Sequence, residues 1–243
     1  MLLGFAWTSI IDYANMPESL TKLNKEIVAC RLCPRLVEYR EKVAREKRAA
    51  YADFDYWGKP VPGFGDPKAE LLIVGLAPGA HGANRTGRVF TGDSSGTFLF
   101  RGLHKFGFAS KADSVSRDDG LVMNNAYVVA TLKCVPPGNK PLTEEILKCR
   151  PFLLREMELL TNLRAVLVLG RIGMEGYLDV LRDEGHKIGK LAFEHGAEYQ
   201  LPGDLPRLFV SYHVSRQNTQ TGKLTPVMFD KVIGRIQRYL RTR

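Results

Sequence analysis

From residue 69 onward, apolar runs of strand length alternate with segments of helical periodicity, and this alternation constrains the fold more than any other feature. It predicts strands at 70–75, 126–132, 165–169 and 207–212, and helices near 95–106, 143–161, 171–184 and 226–241. Alternating strands and helices are typical of an α/β fold whose mainly parallel sheet is covered by helices. Ligands bind such sheets beyond the carboxyl ends of the strands, which here lead into residues 75–96, 133–142, 170–173 and 213–225.

The N-terminal part of the chain has a different pattern. Residues 18–50 read as two helices broken at "CRLCP", and Pro34 can open the second helix. The stretch "YADFDYWGKPVPGFGDP" at 51–67 is a loop by its Gly and Pro content, yet it is rich in aromatic residues. Without an internal repeat or a convincing linker, we expect one domain over residues 1–243.

The charge balance favours an anionic partner without identifying it. The chain has 35 Lys and Arg against 26 Asp and Glu, a net charge of +9, which suits nucleic acid but also a merely basic enzyme. Apolar runs such as "AVLVLG" are far shorter than the roughly 20 residues that cross a bilayer. The first residues also lack a basic leader, so we expect a cytoplasmic protein with no membrane contact.

The four cysteines of the chain could all belong to one metal site. Cys30 and Cys33 form a Cys-x-x-Cys pair, and Cys134 and Cys149 follow far downstream. Four thiolates with no stray cysteine suit zinc or an iron–sulfur cluster, and would tie the N-terminal helices to the unit that carries "KCVPPG". Disulfides, which a reducing cytosol disfavours, and four unrelated buried thiols remain alternatives.

Two polar loops follow predicted strands of the sheet. The loop "GLAPGAHGANRTGRVFTGDSSG" at 75–96 lacks the P-loop and dinucleotide-binding signatures, which leaves backbone N–H groups and the side chains of His81, Asn84, Arg85, Arg88, Phe90 and Asp93. The loop "HVSRQNTQTGKLTP" at 213–226 begins with His213, at the carboxyl end of a strand. Taken alone, His213 could be an ordinary loop histidine and Asp93 an N-cap for the next helix.

Together these segments resemble the uracil-DNA glycosylase superfamily, and most closely its family 5, the type-b uracil-DNA glycosylases. The resemblance rests on "CRLCPRLVEYREKVAREKR", "YWGKPVPGFGDP", the 75–96 loop, "KCVPPGNKP" with Cys149 downstream, and "HVSRQNTQTGKLTP", which span most of the chain. It implies a three-layer α/β/α fold with a four-stranded, mainly parallel sheet. It also implies a [4Fe-4S] cluster on the four cysteines, with zinc as the runner-up.

The activity implied by the resemblance is hydrolysis of the N-glycosidic bond of uracil, and of other damaged bases, in DNA after base flipping. A monomer that acts on DNA in the cytoplasm, at the nucleoid, is the matching expectation. The resemblance assigns His213 to a donor on the base oxygen and Phe90 to stacking on the base. Backbone groups of Gly75 to Gly79, including Ala77 and Pro78, would contact the base. A side chain from residues 214–220, expected to be Arg216 or Gln217, would enter the DNA helix, and Ser215 would also contact the substrate.

Two positions depart from other branches of the superfamily. Ala80 stands where other branches carry an acidic or amide side chain that positions water, an apolar substitution that family 5 shares, and Ala130 stands where relatives read the uracil edge with asparagine. The absence of that reader predicts a broad substrate range. Asp93 and Asn139 remain as candidates for water positioning or transition-state electrostatics. Two other interpretations are a DNA-binding protein that is stabilised by a metal and catalyses no reaction, and an α/β enzyme that acts on phosphates.

Overall fold

The structure is a computed structural model and describes residues 18–242. The predictions for the first 17 residues therefore lie outside the described part of the chain. The helices are α1 (Leu20–Ala29), α2 (Pro34–Glu46), α3 (Ala83–Thr86), α4 (Ser94–Lys105), α5 (Thr143–Leu159), α6 (Arg171–Asp183), α7 (Arg216–Gln220) and α8 (Pro226–Arg241). The strands are β1 (Phe64–Gly65), β2 (Leu71–Gly75), β3 (Ala126–Ala130), β4 (Ala165–Leu169), β5 (Glu198–Tyr199) and β6 (Arg207–Ser211).

The strands form one mixed sheet in the order β1-β3-β2-β4-β6-β5. The four central strands are parallel, and the two-residue strands β1 and β5 pair antiparallel at the edges. The predicted α/β class is confirmed, but the described sheet has six strands rather than four. All four predicted strands exist, and the two additional strands are too short to leave a periodic pattern in the sequence.

Side chains from the central strands alternate between two apolar layers. On one face Ile73, Val128 and Leu167 pack with α4 and α8, which contribute Phe100 and Phe229. The opposite face packs against α5 and α6 in a second cluster, to which the strands contribute Leu72, Val74, Val129, Val168 and Val210. Since both faces are buried, the strands read as continuous apolar runs, and the arrangement is the expected three-layer α/β/α sandwich.

The two N-terminal helices pack at the margin of this sandwich. Pro34 opens α2 as predicted, and α1 contacts α5. A bidentate pair joins the Arg35 guanidinium to the buried Glu145 carboxylate at 2.8 and 2.7 Å. Residues 51–67 are mostly loop, as predicted, with β1 near their end.

No helix among the described residues is long and apolar enough to cross a membrane.

Candidate functional site

The loop after β2 presents backbone donors at the carboxyl edge of the sheet. Within the described chain, the N–H groups of Ala77, Gly79 and Ala80 donate to no protein acceptor. The Gly75 carbonyl, by contrast, accepts from the Thr131 N–H at 2.9 Å and from the Thr131 hydroxyl at 3.0 Å. The loop can therefore offer N–H groups to a ligand, while the Gly75 carbonyl is already hydrogen-bonded to Thr131.

Asp93 performs the predicted capping role with only one of its oxygens. Its Oδ1 accepts hydrogen bonds from the Ser95 and Gly96 N–H groups, each at 3.0 Å, and so caps α4. Its Oδ2 faces the glycine loop, because a Cβ built on Gly82 would lie 2.0 Å from it and one on Gly79 would lie 2.9 Å from it. Burial raises the pKa of Asp93, and the two N–H donors partly offset that effect. The Asp93 carboxylate thus caps α4 with one oxygen and leaves the other facing the glycine loop.

Phe90 lies between the end of β2 and His213. Its φ of 49° is in the left-handed region, and its ring covers Gly75 so closely that a Cβ there would lie 2.6 Å from the ring Cζ. The Phe90 and His213 rings have centroids 6.2 Å apart and an interplanar angle of 37°. A residue held in strained backbone next to a polar loop is typical of functional sites. The structure thereby brings together Gly75, Phe90 and His213, which are far apart in sequence.

His213 lies two residues after β6, which pairs with β4, the neighbour of β2. Burial lowers the pKa of its imidazole to about 4, so the ring is neutral at physiological pH and can donate a hydrogen bond without carrying charge. Its carbonyl accepts from the Asn218 side chain at 2.8 Å, and a Cβ on Gly170 would lie 3.0 Å from its Cβ. Tight surroundings and a fixed backbone hold the ring in place.

The residues after His213 form a short exposed turn. Ser215 caps α7 through its hydroxyl, which accepts from the Asn218 N–H at 3.4 Å. Arg216 and Gln217 begin α7 and are exposed, free to meet a macromolecular ligand.

Asn139 is the predicted site residue that stands apart. It is exposed, with a φ of 57°, in the turn after Gly138. No hydrogen bond or ring contact within residues 18–242 joins its side chain to Asp93 or His213. The structure thus brings together the Asp93 loop, Phe90 and His213, while Asn139 lies in the turn between β3 and α5 without contact to them.

Three polar residues of the 75–96 loop are structural and are not available to a ligand. The Asn84 side chain donates to the Arg40 carbonyl, and Arg85 donates to the carbonyls of His81 and Gly92. Arg88 forms a buried ion pair with Asp119 at 2.7 Å.

A hydrogen bond that was not predicted from the sequence joins the aromatic-rich residues 51–67 to the 75–96 loop. The Tyr56 hydroxyl lies 3.0 Å from His81 Nδ1. In addition, the Arg85 guanidinium lies 4.2 Å from the Tyr51 ring centroid and 5.0 Å from that of Phe54. The aromatic content of residues 51–57 was the available signal, but their partners could not be deduced from it.

All four cysteines line one cavity between α2, the end of β3 and α5. They are free thiols, and burial raises the pKa of Cys134 to about 11 and that of Cys149 to about 12. The Lys133 N–H donates to Cys149 Sγ at 3.3 Å. No set of three or more His, Cys, Asp and Glu side chains in residues 18–242 is placed to hold a single metal ion directly. The four cysteines therefore line one cavity, but their sulfur atoms are not placed closely enough to bind a single metal ion together.

A buried cation adjoins this cavity. The Arg40 guanidinium is 2% exposed, donates to Cys134 Sγ at 2.9 Å and to the Cys30 carbonyl at 3.2 Å, and leaves its Nε without a partner. Its nearest acid, Glu41, is 4.0 Å away and partly exposed. A buried cation requires compensating negative charge, and thiolates in the cavity would supply it.

Comparison with known proteins gives consistent matches. The family described as "Uracil DNA glycosylase superfamily" matches residues 62–237. A protein of Thermus thermophilus named type-5 uracil-DNA glycosylase is 51% identical over 209 residues, which cover 85% of this chain and 92% of that protein. A Mycobacterium leprae protein of the same name is 47% identical, with 88% and 93% covered. A type-4 uracil-DNA glycosylase of Pyrobaculum aerophilum is 30% identical, with 80% and 82% covered.

Proposed function

The chain belongs to the uracil-DNA glycosylase superfamily, and we propose that it excises uracil from DNA by hydrolysis of the N-glycosidic bond, as a type-5 enzyme. The observation that supports this most is that Phe90 and Asp93 lie against the glycine loop after β2, and that the His213 ring lies 6.2 Å from the Phe90 ring. An aromatic surface, a carboxylate and a neutral imidazole are the groups this hydrolysis needs. Type-5 relatives at 42–51% identity support the same activity.

Binding begins with the base outside the DNA stack. A base inside a duplex cannot be reached, so it has to flip into a pocket, at an unstacking cost of a few kcal/mol. Phe90 would stack on the flat ring, and the free N–H groups of Ala77, Gly79 and Ala80 would meet its polar edge, with Pro78 beside them. Because glycine lacks a side chain, Gly75 allows the Phe90 ring to lie against the strand end.

His213 would stabilise the leaving base. Negative charge develops on the base oxygen as the bond breaks, and a donor aimed at that oxygen lowers the barrier. With a pKa of about 4 the ring is a neutral donor at physiological pH, which needs no proton transfer to reach its active form.

Asp93 and Asn139 would act on the sugar side. The Asp93 Oδ2, which faces the pocket, is suited to hold the attacking water or to stabilise positive charge on the sugar. Asn139 would reach this region from the facing loop when DNA binds, since catalytic contacts often tighten only in the complex.

Two alanines would widen the range of bases. Ala80 carries no polar group, and Ala130 pairs with Gly75 in the register of β2 and β3, directly beside the pocket. A pocket without a bidentate reader of the base edge discriminates less sharply. Other deaminated or damaged bases should therefore also be substrates.

DNA would approach along the carboxyl edge of the sheet. The net charge of +9 attracts phosphates, and Arg216 or Gln217 would enter the helix and fill the vacated space, with Ser215 beside them in contact with the substrate. We place this activity in the cytoplasm, at the nucleoid, and expect the protein to act as a monomer.

The four cysteines would hold a [4Fe-4S] cluster that joins the N-terminal helices to the α/β unit, so that residues 1–243 form one domain. The residues fit such a group because the donor set is four soft thiolates with N–H donors to two of them, and because Arg40 is a buried cation in need of anionic neighbours. A single tetrahedral zinc, with Zn–S bonds of about 2.3 Å, needs closer thiols, so zinc remains the runner-up. With all positions taken by cysteine, the group is structural and supplies no reaction step.

A duplex oligonucleotide with one uracil tests the activity, because alkali cleaves the strand at an abasic site. We expect His213→Ala to lower the single-turnover rate by about 10²-fold to 10³-fold, since it removes a transition-state donor. Asp93→Asn and Asn139→Ala should also slow release, whereas the exposed Asp204→Asn, a matched control outside the site, should not. Near-wild-type rates in all three site variants would overturn the assignment, and DNA binding without any cleavage would favour a non-catalytic binding protein.

A further inference from the structure

A hairpin between α4 and β3 reaches the 75–96 loop and has no role in the chemistry described above. Ala109 and Met123 pair antiparallel at the base of this hairpin. Its tip returns to the 75–96 loop, where the Gly92 N–H donates to the Ser114 carbonyl at 2.8 Å. A segment that precedes β3 by only a few residues is thereby bound to the loop that follows β2.

Four buried polar side chains join the hairpin tip to the loop, and the Arg88 guanidinium, 3% exposed, lies at their centre. Its Nη2 donates to Asp119 Oδ2 at 2.7 Å and to Ser114 Oγ at 2.8 Å, and its Nε donates to Thr91 Oγ1 at 3.0 Å. The hydroxyls of Thr91 and Ser114 lie 2.6 Å apart. These four residues, here called the Arg88 cluster, form one continuous hydrogen-bonded network.

Asp119 fixes the hairpin tip to the Arg88 cluster. Its Oδ2 also accepts from the N–H groups of Val115 at 2.9 Å and Ser116 at 3.3 Å, and its Oδ1 accepts from the Leu121 N–H at 2.9 Å. Burial alone would raise the pKa of this carboxyl, but Arg88 and the three N–H groups hold the pKa well below its usual range. The carboxylate therefore stays charged at neutral pH and the ion pair persists.

Phe90 lies inside the segment that the Arg88 cluster holds. Thr91 Oγ1 donates to the Val89 carbonyl at 3.1 Å, so the side chain that follows Phe90 fixes the peptide group that precedes it. Arg88, Val89 and Thr91 are all buried, and Gly92 is bound to the hairpin tip. Strained backbone, such as the φ of 49° at Phe90, persists only where its surroundings over-determine it. The cluster provides such surroundings on both sides of Phe90.

We infer that Arg88 and its three partners are positioning residues, which hold Phe90 in its left-handed conformation and thereby set the position of the ring that stacks on the base. The Phe90 ring lies against Gly75 at the end of β2, and a change of backbone conformation at residue 90 would move the ring away from that position. None of the four residues needs to touch the substrate. This inference rests on the proposed function, because it takes Phe90 as the surface on which the base stacks.

Removal of single hydroxyls tests the Arg88 cluster with little change of volume. Ser114→Ala and Thr91→Val should each lower the single-turnover rate of uracil release at saturating protein by about 10-fold, because small displacements of a positioned group cost up to about 10²-fold. Ser110→Ala is the matched control. Its hydroxyl accepts from the Val122 N–H at 2.9 Å in the same hairpin, outside the cluster, so its loss should leave the rate unchanged.

A double-mutant cycle separates positioning of the ring from a general loss of structure. Without the ring there is nothing to position, so Ser114→Ala should change the rate by less than about twofold in a Phe90→Ala background. A rate loss of the same size in both backgrounds would overturn the inference, and so would an unchanged rate of Ser114→Ala and Thr91→Val in the native background.

Melting temperatures test the held backbone without any activity. Glycine adopts left-handed backbone freely and alanine does not, so Phe90→Gly should melt at a higher temperature than Phe90→Ala while the Arg88 cluster is intact. In a Ser114→Ala background residue 90 can relax, and this difference should shrink; an unchanged difference would overturn the inference. Uracil release by the wild-type protein is scored separately, so that its absence overturns the proposed function while the melting temperatures still decide whether the cluster holds residue 90.

Discussion

Replacing Gly75 by alanine should displace Phe90 and thereby disable the proposed base-binding site. Gly75 ends β2 in ordinary strand conformation, so alanine fits the backbone. Its Cβ, however, would lie 2.6 Å from Phe90 Cζ and 2.9 Å from Cε2, whereas ordinary contact begins at 3.4 Å. The ring therefore has to retreat by about 0.8 Å, and a misplacement of about 1 Å at a reacting site costs about 10²-fold in rate.

The crowding also predicts a limited loss of stability. Overpacking of one methyl group costs about 1 to 3 kcal/mol in the free energy of unfolding, which leaves the protein folded at room temperature. Gly189→Ala is the matched control, because nothing lies within 4 Å of its Cβ position. It should keep both the wild-type rate and the wild-type melting temperature.

Single-turnover release of uracil from a duplex measures the effect, and a double-mutant cycle identifies its route. In a Phe90→Ala background the clash is absent, so Gly75→Ala should change the rate by less than about threefold. The reasoning is refuted if Gly75→Ala retains a near-wild-type rate in the native background. It is equally refuted if the rate loss is just as large without the Phe90 ring.

Three further predictions concern pH, the cysteine cavity and base choice. Folding lowers the pKa of His213 from about 6.5 to about 4, so the unfolded chain binds a proton at a higher pH than the folded chain does. The free energy of unfolding should therefore fall by up to about 3 kcal/mol as the pH drops from 6.5 to 4. Denaturant titrations of His213→Gln should lack this loss. The rate of uracil release should fall as the pH drops toward the raised pKa of Asp93 and the pKa of about 4 of His213, because protonation removes the Asp93 carboxylate and charges the imidazole. Cys149→Ala should abolish absorbance at about 400 nm and lower the melting temperature by about 5 °C or more, whereas a colourless wild type with an equally stable variant would contradict a cluster. Ala130→Asn should raise the ratio of uracil release to release of other damaged bases, and an unchanged ratio on a lesion panel would show that this position does not read the base.

The main strands and helices could be predicted because burial on both faces leaves a direct trace in the sequence. The β4 strand, for example, is bounded at 165–169 both by its apolar run and by the structure. The edge strands β1 and β5, of two residues each, and the short helices α3 and α7 leave no periodic pattern and were not predicted. Their formation depends on neighbours that only the folded chain provides.

The site was partly predictable for a different reason. The position of His213 directly after a predicted parallel strand indicated that it lies at the carboxyl edge of the sheet, where the structure has it. The "GD" before a helix predicted the capping role of Asp93. The contact between Phe90 and Gly75 was not predictable, because it depends on a left-handed backbone at Phe90. The structural role of Arg85 was not predictable either, because the sequence does not show whether an arginine binds a ligand or donates to backbone carbonyls of its own chain.

Analysis of the products in heavy-oxygen water tests the central claim most directly. The purified protein is incubated with a duplex that contains one uracil, and free base and DNA are measured by mass spectrometry. Hydrolysis of the N-glycosidic bond predicts unlabelled uracil in solution and one heavy oxygen on the sugar of the abasic site, with both products strongly reduced in His213→Ala. Intact DNA with no free uracil, at protein concentrations that bind the duplex, would contradict the account.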